Sequence, residues 1–150
     1  MVPAPKPRHQ TIGLNLLVAL AQHVKGSDLG QIFHAPCDVV LSPENVVHPD
    51  MTFVSRERLQ IVGEANIAGS PDLLIEILSP GTRGRDLEIK RKLYARFGVR
   101  EYWVVDPEDR MIQVLSWTDT GYRLEIIVPH TGTLNSPLFP SLNLNLADIF

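Results

Sequence analysis

The chain has 150 residues, 44% hydrophobic and 21% charged, with a formal net charge of −3 at pH 7. These values describe one globular domain, 1–150, and exclude both a disordered chain and a polycation that coats nucleic acid by charge alone. No apolar run reaches the roughly 20 residues of a membrane span, and MVPAPKPRHQ lacks a signal-peptide core, so a cytoplasmic protein without membrane contact is expected.

Three prolines in MVPAPKPR predict an extended arm over residues 1–8. Ile12, Leu16, Leu17, Leu20, Ala21 and Val24 recur at helical spacing, and Gly26 follows as a stop. The runs QIFHAPCDVVLS, DMTFVS, DLLIEILS, EYWVVD, MIQVLSW and YRLEIIVP read as strands separated by turn-forming clusters. Between the third and fourth, a helix is predicted from Asp86, as N-cap, to Phe97, with Gly98 as C-terminal cap. The tail TGTLNSPLFPSLNLNLADIF is irregular, ending in one helical turn. The order predicts an α/β or α+β fold, a mixed central sheet flanked by helices.

DLLIEILS is the most apolar strand, so it should be central and covered on both faces. Alternation puts Asp72, Leu74, Glu76 and Leu78 on one face and Leu73, Ile75 and Ile77 on the other. Glu76 is then a carboxylate among apolar neighbours, disfavoured unless paired, hydrogen-bonded or bound to metal. An antiparallel hairpin of DMTFVS with DLLIEILS, centred near Gly63, sets Asp50 opposite Glu76, which would make a metal-bridging pair. Asp72 shares that face but lies about 13 Å away along the strand, at roughly 3.3 Å per residue. It reads either as a strand-entry residue or as an outer participant in the site.

Seven of the 14 basic residues fall between positions 83 and 100: Arg83, Arg85, Lys90, Arg91, Lys92, Arg96 and Arg100. Such a cluster is either a solvated helix face or a phosphate-binding surface. At roughly 100° per residue from Leu87, the residues Ile89, Leu93, Phe97, Tyr94 and Leu87 form an apolar arc from about 200° to 360°. Lys90 falls inside that arc, whereas Arg91, Lys92 and Arg96 fall outside it. Lys90 is thus the basic residue aimed at the sheet, unless its stem snorkels past the rings to water. Two carboxylates with an inward lysine suit Mg²⁺-dependent phosphodiester hydrolysis, Mn²⁺ serving as a substitute. Arg83, Arg85, Arg91 and Lys92 would hold the nucleic-acid backbone.

The segments HPDMTFV, PDLLIEILSPGTRGRDLEIKRKLYARFGVREYWVVDP and TGTLNSPLFPSLNLNLADIF resemble the Uma-two family of restriction-endonuclease-like, PD-(D/E)xK-type domains. The resemblance covers nearly the whole chain. It implies a restriction-endonuclease-like core and a Mg²⁺-dependent endonuclease acting on DNA. Asp50 would be the aspartate of the PD element and Glu76 the acidic residue of the (D/E)xK element. Two departures stand out. The lysine expected two residues after Glu76 is replaced by Leu78, its place being taken by Lys90 on the following helix. A Glu-containing element that precedes the corresponding start near Pro3 in family members is not seen. A catalytically weak or inactive nucleic-acid-binding module of the same fold therefore stays open, as does a structural homo-oligomer using Trp103, Trp117 and the apolar tail.

Overall fold

The computed structural model of the protein describes residues 4–80 and 83–150. A helix, α1 (Pro7–Gly26), is followed by β1 (Gly30–His34), β2 (Val39–Ser42), β3 (Asn45–Val47) and β4 (Met51–Ser55). Next come a 3₁₀ segment (Arg56–Ile61), β5 (Ile67–Ala68) and β6 (Leu73–Ile77). Helix α2 (Arg85–Arg96) then leads to β7 (Glu101–Asp106), β8 (Met111–Thr118) and β9 (Gly121–Pro129). The tail holds β10 (Thr133–Leu134), β11 (Leu144–Asn145) and a 3₁₀ turn at Leu146–Asp148.

The expected arm is shorter than its prolines suggested. Pro7 opens α1, where a missing N–H costs nothing because the first helical donors have no partner, so Pro7 and Arg8 belong to the first turn. Residues 1–3 of that arm lie outside the described residues. The run QIFHAPCDVVLS is two strands broken at Pro36, and the halves join different sheets.

The main sheet has six strands in the order β1-β4-β6-β7-β8-β9. Only the β6–β7 pair is parallel, as a connection through α2 requires; its other neighbours pair antiparallel. A smaller sheet, β3-β2-β5, and α2 cover one face, and α1 with the C-terminal tail covers the other.

The alternation read from DLLIEILS organises both cores. Leu73, Ile75 and Ile77 pack with Ile12, Leu16, Leu20 and Val24 of α1 and with Trp103. Leu74 and Leu78 pack on the opposite face with Tyr94, Tyr102 and Val104. All five residues of β6 are buried, the signature of a strand covered on both sides. Trp103 is fully buried and donates from Nε1 to Glu101 Oε1 at 2.7 Å, so it belongs to the core and not to an exposed subunit surface. Trp117 is partly exposed, its Nε1 donating to Ala95 O at 2.8 Å.

Helix α2 starts two residues before the expected position, its N-cap being Gly84 and not Asp86. Asp86 lies instead in the first turn, where a carboxylate favours the helix dipole and reaches Lys90 at 3.7 Å. Gly98 does end the helix region, at φ 69°, a left-handed conformation that glycine adopts without a Cβ clash.

Candidate active site

The β4–β6 register is Met51↔Ile75, Thr52↔Leu74 and Phe53↔Leu73, which continued by one step sets Asp50 against Glu76. The hairpin symmetry inferred about Gly63 is therefore the register of the fold. The ladder stops at Met51 because the residue two positions before it, Pro49, has no N–H to offer. Beyond that point the main chain of Ile77 is met by side chains. Ile77 N donates to Asp50 Oδ2 at 2.7 Å, and Ile77 O lies 3.2 Å from His9 Nε2 on the first turns of α1.

Glu76 is 6% exposed, and each of its carboxylate oxygens has a partner. Tyr94 OH donates to Oε1 at 2.7 Å, and Lys90 Nζ donates to Oε2 at 3.3 Å. Both partners come from α2, four residues apart and so on one helical face. Tyr94 is itself fully buried against Tyr102, with the ring planes nearly perpendicular and centroids 5.1 Å apart.

The helix face is rotated from the predicted arc. Ile89, at its edge, is 52% exposed, whereas Tyr94 is completely buried, so the inward direction lies between Lys90 and Tyr94. This rotation brings Lys90 nearer the centre of the buried face. Its ammonium therefore ends on Glu76 rather than snorkelling to water.

Burial pushes the Glu76 carboxyl above the usual glutamate range, and the nearby Asp50 charge adds to the rise; Lys90 and the Tyr94 hydrogen bond act the other way without offsetting it. Asp50 is also raised, again chiefly by burial and against the pull of the Ile77 N–H, His9 and Lys90. Two neighbouring carboxyls that both resist ionisation create a place where a cation is favourable. Their hard oxygens suit Mg²⁺ or Mn²⁺. Among the described residues no three His, Cys, Asp or Glu side chains already converge as a metal cluster. Asp50 and Glu76 fit the ion as a pair of carboxylates, and further donors would complete its shell.

Asp72 is not brought to this site. It accepts from Ser55 N at 2.7 Å and lies 3.4 Å from Arg58 Nη1, fastening the start of β6 to the end of β4 and the following 3₁₀ segment. Of its two sequence readings, the strand-entry role matches the geometry.

The basic residues divide in the same way. Arg83 donates to both carboxylate oxygens of Asp106, at 2.6 and 3.2 Å, and also reaches Glu108 at 3.1 Å. It braces the end of β7, so donors expected to meet phosphate are engaged by Asp106 and Glu108. Asp106 is held below the usual aspartate range by the Arg83 hydrogen bonds and by the N–H groups of Asp109 and Glu108, which together outweigh its burial. Arg83→Ala should cost on the order of 1 kcal/mol, discounted because Arg83 is partly exposed. A depressed pKa stabilises above the unfolded value and loses that stability as pH falls, so the cost should be present at pH 7 and shrink in acid. Urea melts at neutral and acid pH measure it; an equal cost at both would mean that the Asp106 pair is not its source.

Arg85 is exposed in the first turn of α2. Arg91 and Lys92 are also exposed and line an open groove between α2 and the β8–β9 turn, with Leu87, Thr120 and Tyr122. Asp50, Glu76 and Lys90 do not line that groove. The three cations thus remain available to a polyanion, although two of them flank a surface distinct from the carboxylate pair.

Sequence patterning missed His9 and Tyr94. His9 falls in the segment read as arm and helix start, 41 positions before Asp50, and only the tertiary fold joins them. Tyr94 read as one more apolar residue; its hydroxyl, placed on the Lys90 side of the wheel, was the available signal.

The sequence model of the Uma2 (Uma-two) family, described as "Putative restriction endonuclease", matches residues 1–147. A crystal structure described as "a putative nuclease belonging to DUF820 from Anabaena variabilis" shares the fold, with a TM-score of 0.79 and 20% identity, over 99% of this chain and 83% of that one. No curated protein matches the sequence. With the mixed sheet, its two covering layers and a family match over almost its full length, the chain belongs to the Uma2 family and has the fold of restriction-endonuclease-like nucleases.

Proposed function

We propose that the protein is a Mg²⁺-dependent endonuclease that hydrolyses phosphodiester bonds of DNA. The observation that carries this reading is the meeting of Asp50, Glu76 and Lys90, from the residue before β4, the central strand β6 and helix α2, beside an otherwise apolar layer. Asp50 and Glu76 would hold the ion. A divalent cation there supplies Lewis-acid polarisation of the phosphodiester and acidifies water.

The protein's own groups do the remaining work. Lys90 is a mobile donor on a long stem, and release of Oε2 frees its ammonium to offset charge developing on the phosphate or to orient the attacking water. Tyr94 keeps Oε1 fixed, so that Oε2 is the oxygen left to turn. Asp50 Oδ2 is occupied by Ile77 N, which sets its carboxylate plane and leaves Oδ1 for the ion. Arg85, Arg91 and Lys92 supply phosphate contacts that position the strand without reading its bases.

The test is cleavage of double-stranded DNA with Mg²⁺, Mn²⁺ or chelator, together with binding at several salt concentrations. Hydrolysis that needs the ion and affinity that falls steeply with salt are expected. Ion-independent cleavage would overturn the metal reading. A second reading, a nucleic-acid-binding module with weak chemistry, draws on the occupation of both Glu76 oxygens by Tyr94 and Lys90. Salt-sensitive binding without cleavage at any divalent-ion concentration would favour it.

A further inference from the structure

We infer that His9 is a third ligand of the ion held at Asp50, joined by the main-chain carbonyl of Ile77, so that the site offers a mixed nitrogen and oxygen set and favours Mn²⁺ over Mg²⁺. This rests on the proposed role of Asp50 and Glu76, and deepens it by naming the donors and the ion they select. His9 Nε2 lies 3.2 Å from Ile77 O and 3.9 Å from Asp50 Oδ1. Donors bonded to one ion at about 2.1 Å stand about 3.0 Å apart when adjacent and about 4.2 Å when opposite. Both separations fall inside that range. A cation beside His9 Nε2 could therefore be shared with either oxygen.

The surroundings make this more than a chance approach. The β4–β6 ladder has ended, so the Ile77 carbonyl has no strand partner there, and His9 is the side chain that faces it. His9 is only 18% exposed, held by the first turns of α1 over the sheet. One imidazole nitrogen has two roles to choose between. Carrying hydrogen, Nε2 donates to Ile77 O and merely caps the strand; carrying its lone pair, it faces two oxygens across a gap that a cation would fill. Imidazole nitrogen strengthens binding of first-row transition ions far more than of Mg²⁺, which prefers oxygen and water.

Pulsed electron paramagnetic resonance of the full chain loaded with Mn²⁺ alone distinguishes the two roles, because a directly bound imidazole gives a nitrogen coupling that changes on ¹⁵N-histidine labelling. The coupling is expected in the wild type and should vanish in His9→Asn, whose amide can still donate to Ile77 O. Mn²⁺ affinity in that variant should fall at least ~10-fold, with Mg²⁺ affinity changed less than ~3-fold. Asp50→Asn serves as the control that locates the ion. Asp50-dependent Mn²⁺ binding without nitrogen coupling in the wild type would overturn the role of His9 and leave the nuclease reading standing. Persistence of the coupling in His9→Asn would do the same by pointing to another histidine. Absence of Mn²⁺ binding, or binding indifferent to Asp50→Asn, would remove both. The labelled wild type gives its answer even if the variant does not fold.

Discussion

Glu76→Gln is expected to abolish ion-dependent cleavage, by at least ~10³-fold, while leaving the metal-free protein folded and more stable at neutral pH. The amide keeps the acceptor that Tyr94 OH needs and removes a charge from a site that is nearly closed to solvent. Losing one member of a buried ion pair ordinarily destabilises by leaving the other charge stranded. Lys90 escapes that penalty because its side chain is partly exposed and Asp86 stands 3.7 Å away. The gain should be on the order of 1 kcal/mol.

Its pH dependence has a defined sign. The native Glu76 carboxyl titrates above its unfolded value, so below the ordinary glutamate range both states are protonated and no charge is buried. As pH rises past the ordinary glutamate range, the unfolded chain ionises freely while the buried carboxyl resists, so the wild type loses stability relative to the variant until pH passes the native value, where the difference levels off. Urea melts of both proteins with chelator present, from acid to neutral pH, should show the difference opening upward from near zero. A constant difference, or a wild type that is the more stable at pH 7, would mean that Glu76 belongs to a stabilising network and is not a strained ligand. A variant that retained cleavage would remove Glu76 from the chemistry altogether.

Lys90→Ala should reduce cleavage by ~10²-fold or more, whereas Lys92→Ala should stay within about 3-fold of wild type under saturating substrate. The two lysines are two positions apart on the same helix, with equal formal charge. Lys90 ends on buried Glu76, while the Lys92 side chain is 76% exposed and pairs at 3.5 Å with Glu88, also on the surface. An exposed pair of that kind is worth little and is screened by salt. Steady-state cleavage by the two variants, with DNA affinity measured in parallel, separates loss of chemistry from loss of phosphate contact. Equal losses in turnover would undo the assignment of Lys90 as the inward group.

The strand DLLIEILS could be read in advance because alternation and apolarity act locally: a strand with both faces covered must look like this wherever it sits. Asp50 opposite Glu76 was legible for a related reason, since an antiparallel hairpin makes register a matter of counting. Lys90 could be placed by helical geometry, yet the same wheel misjudged Ile89. Periodicity gives an arc, and the packing of Tyr94 beneath the helix chooses which part of that arc is buried.

Charge alone could not sort the basic cluster or the acidic companions. Arg83 and Asp72 carry the residue types that catalysis and phosphate binding use, but each is engaged by a partner from elsewhere in the chain, Asp106 for Arg83 and Arg58 with Ser55 N for Asp72. By itself, then, the sequence determined the sheet's central strand, the pairing of its two carboxylates and the inward lysine, all consequences of short-range repeat geometry. The tertiary structure decided that Tyr94 clamps Glu76, that His9 arrives beside Asp50, that Arg83 pairs with Asp106 and that Asp72 pairs with Arg58. Those contacts depend on where α1 and α2 lie across the sheet, a choice made by long-range packing that no local spacing encodes.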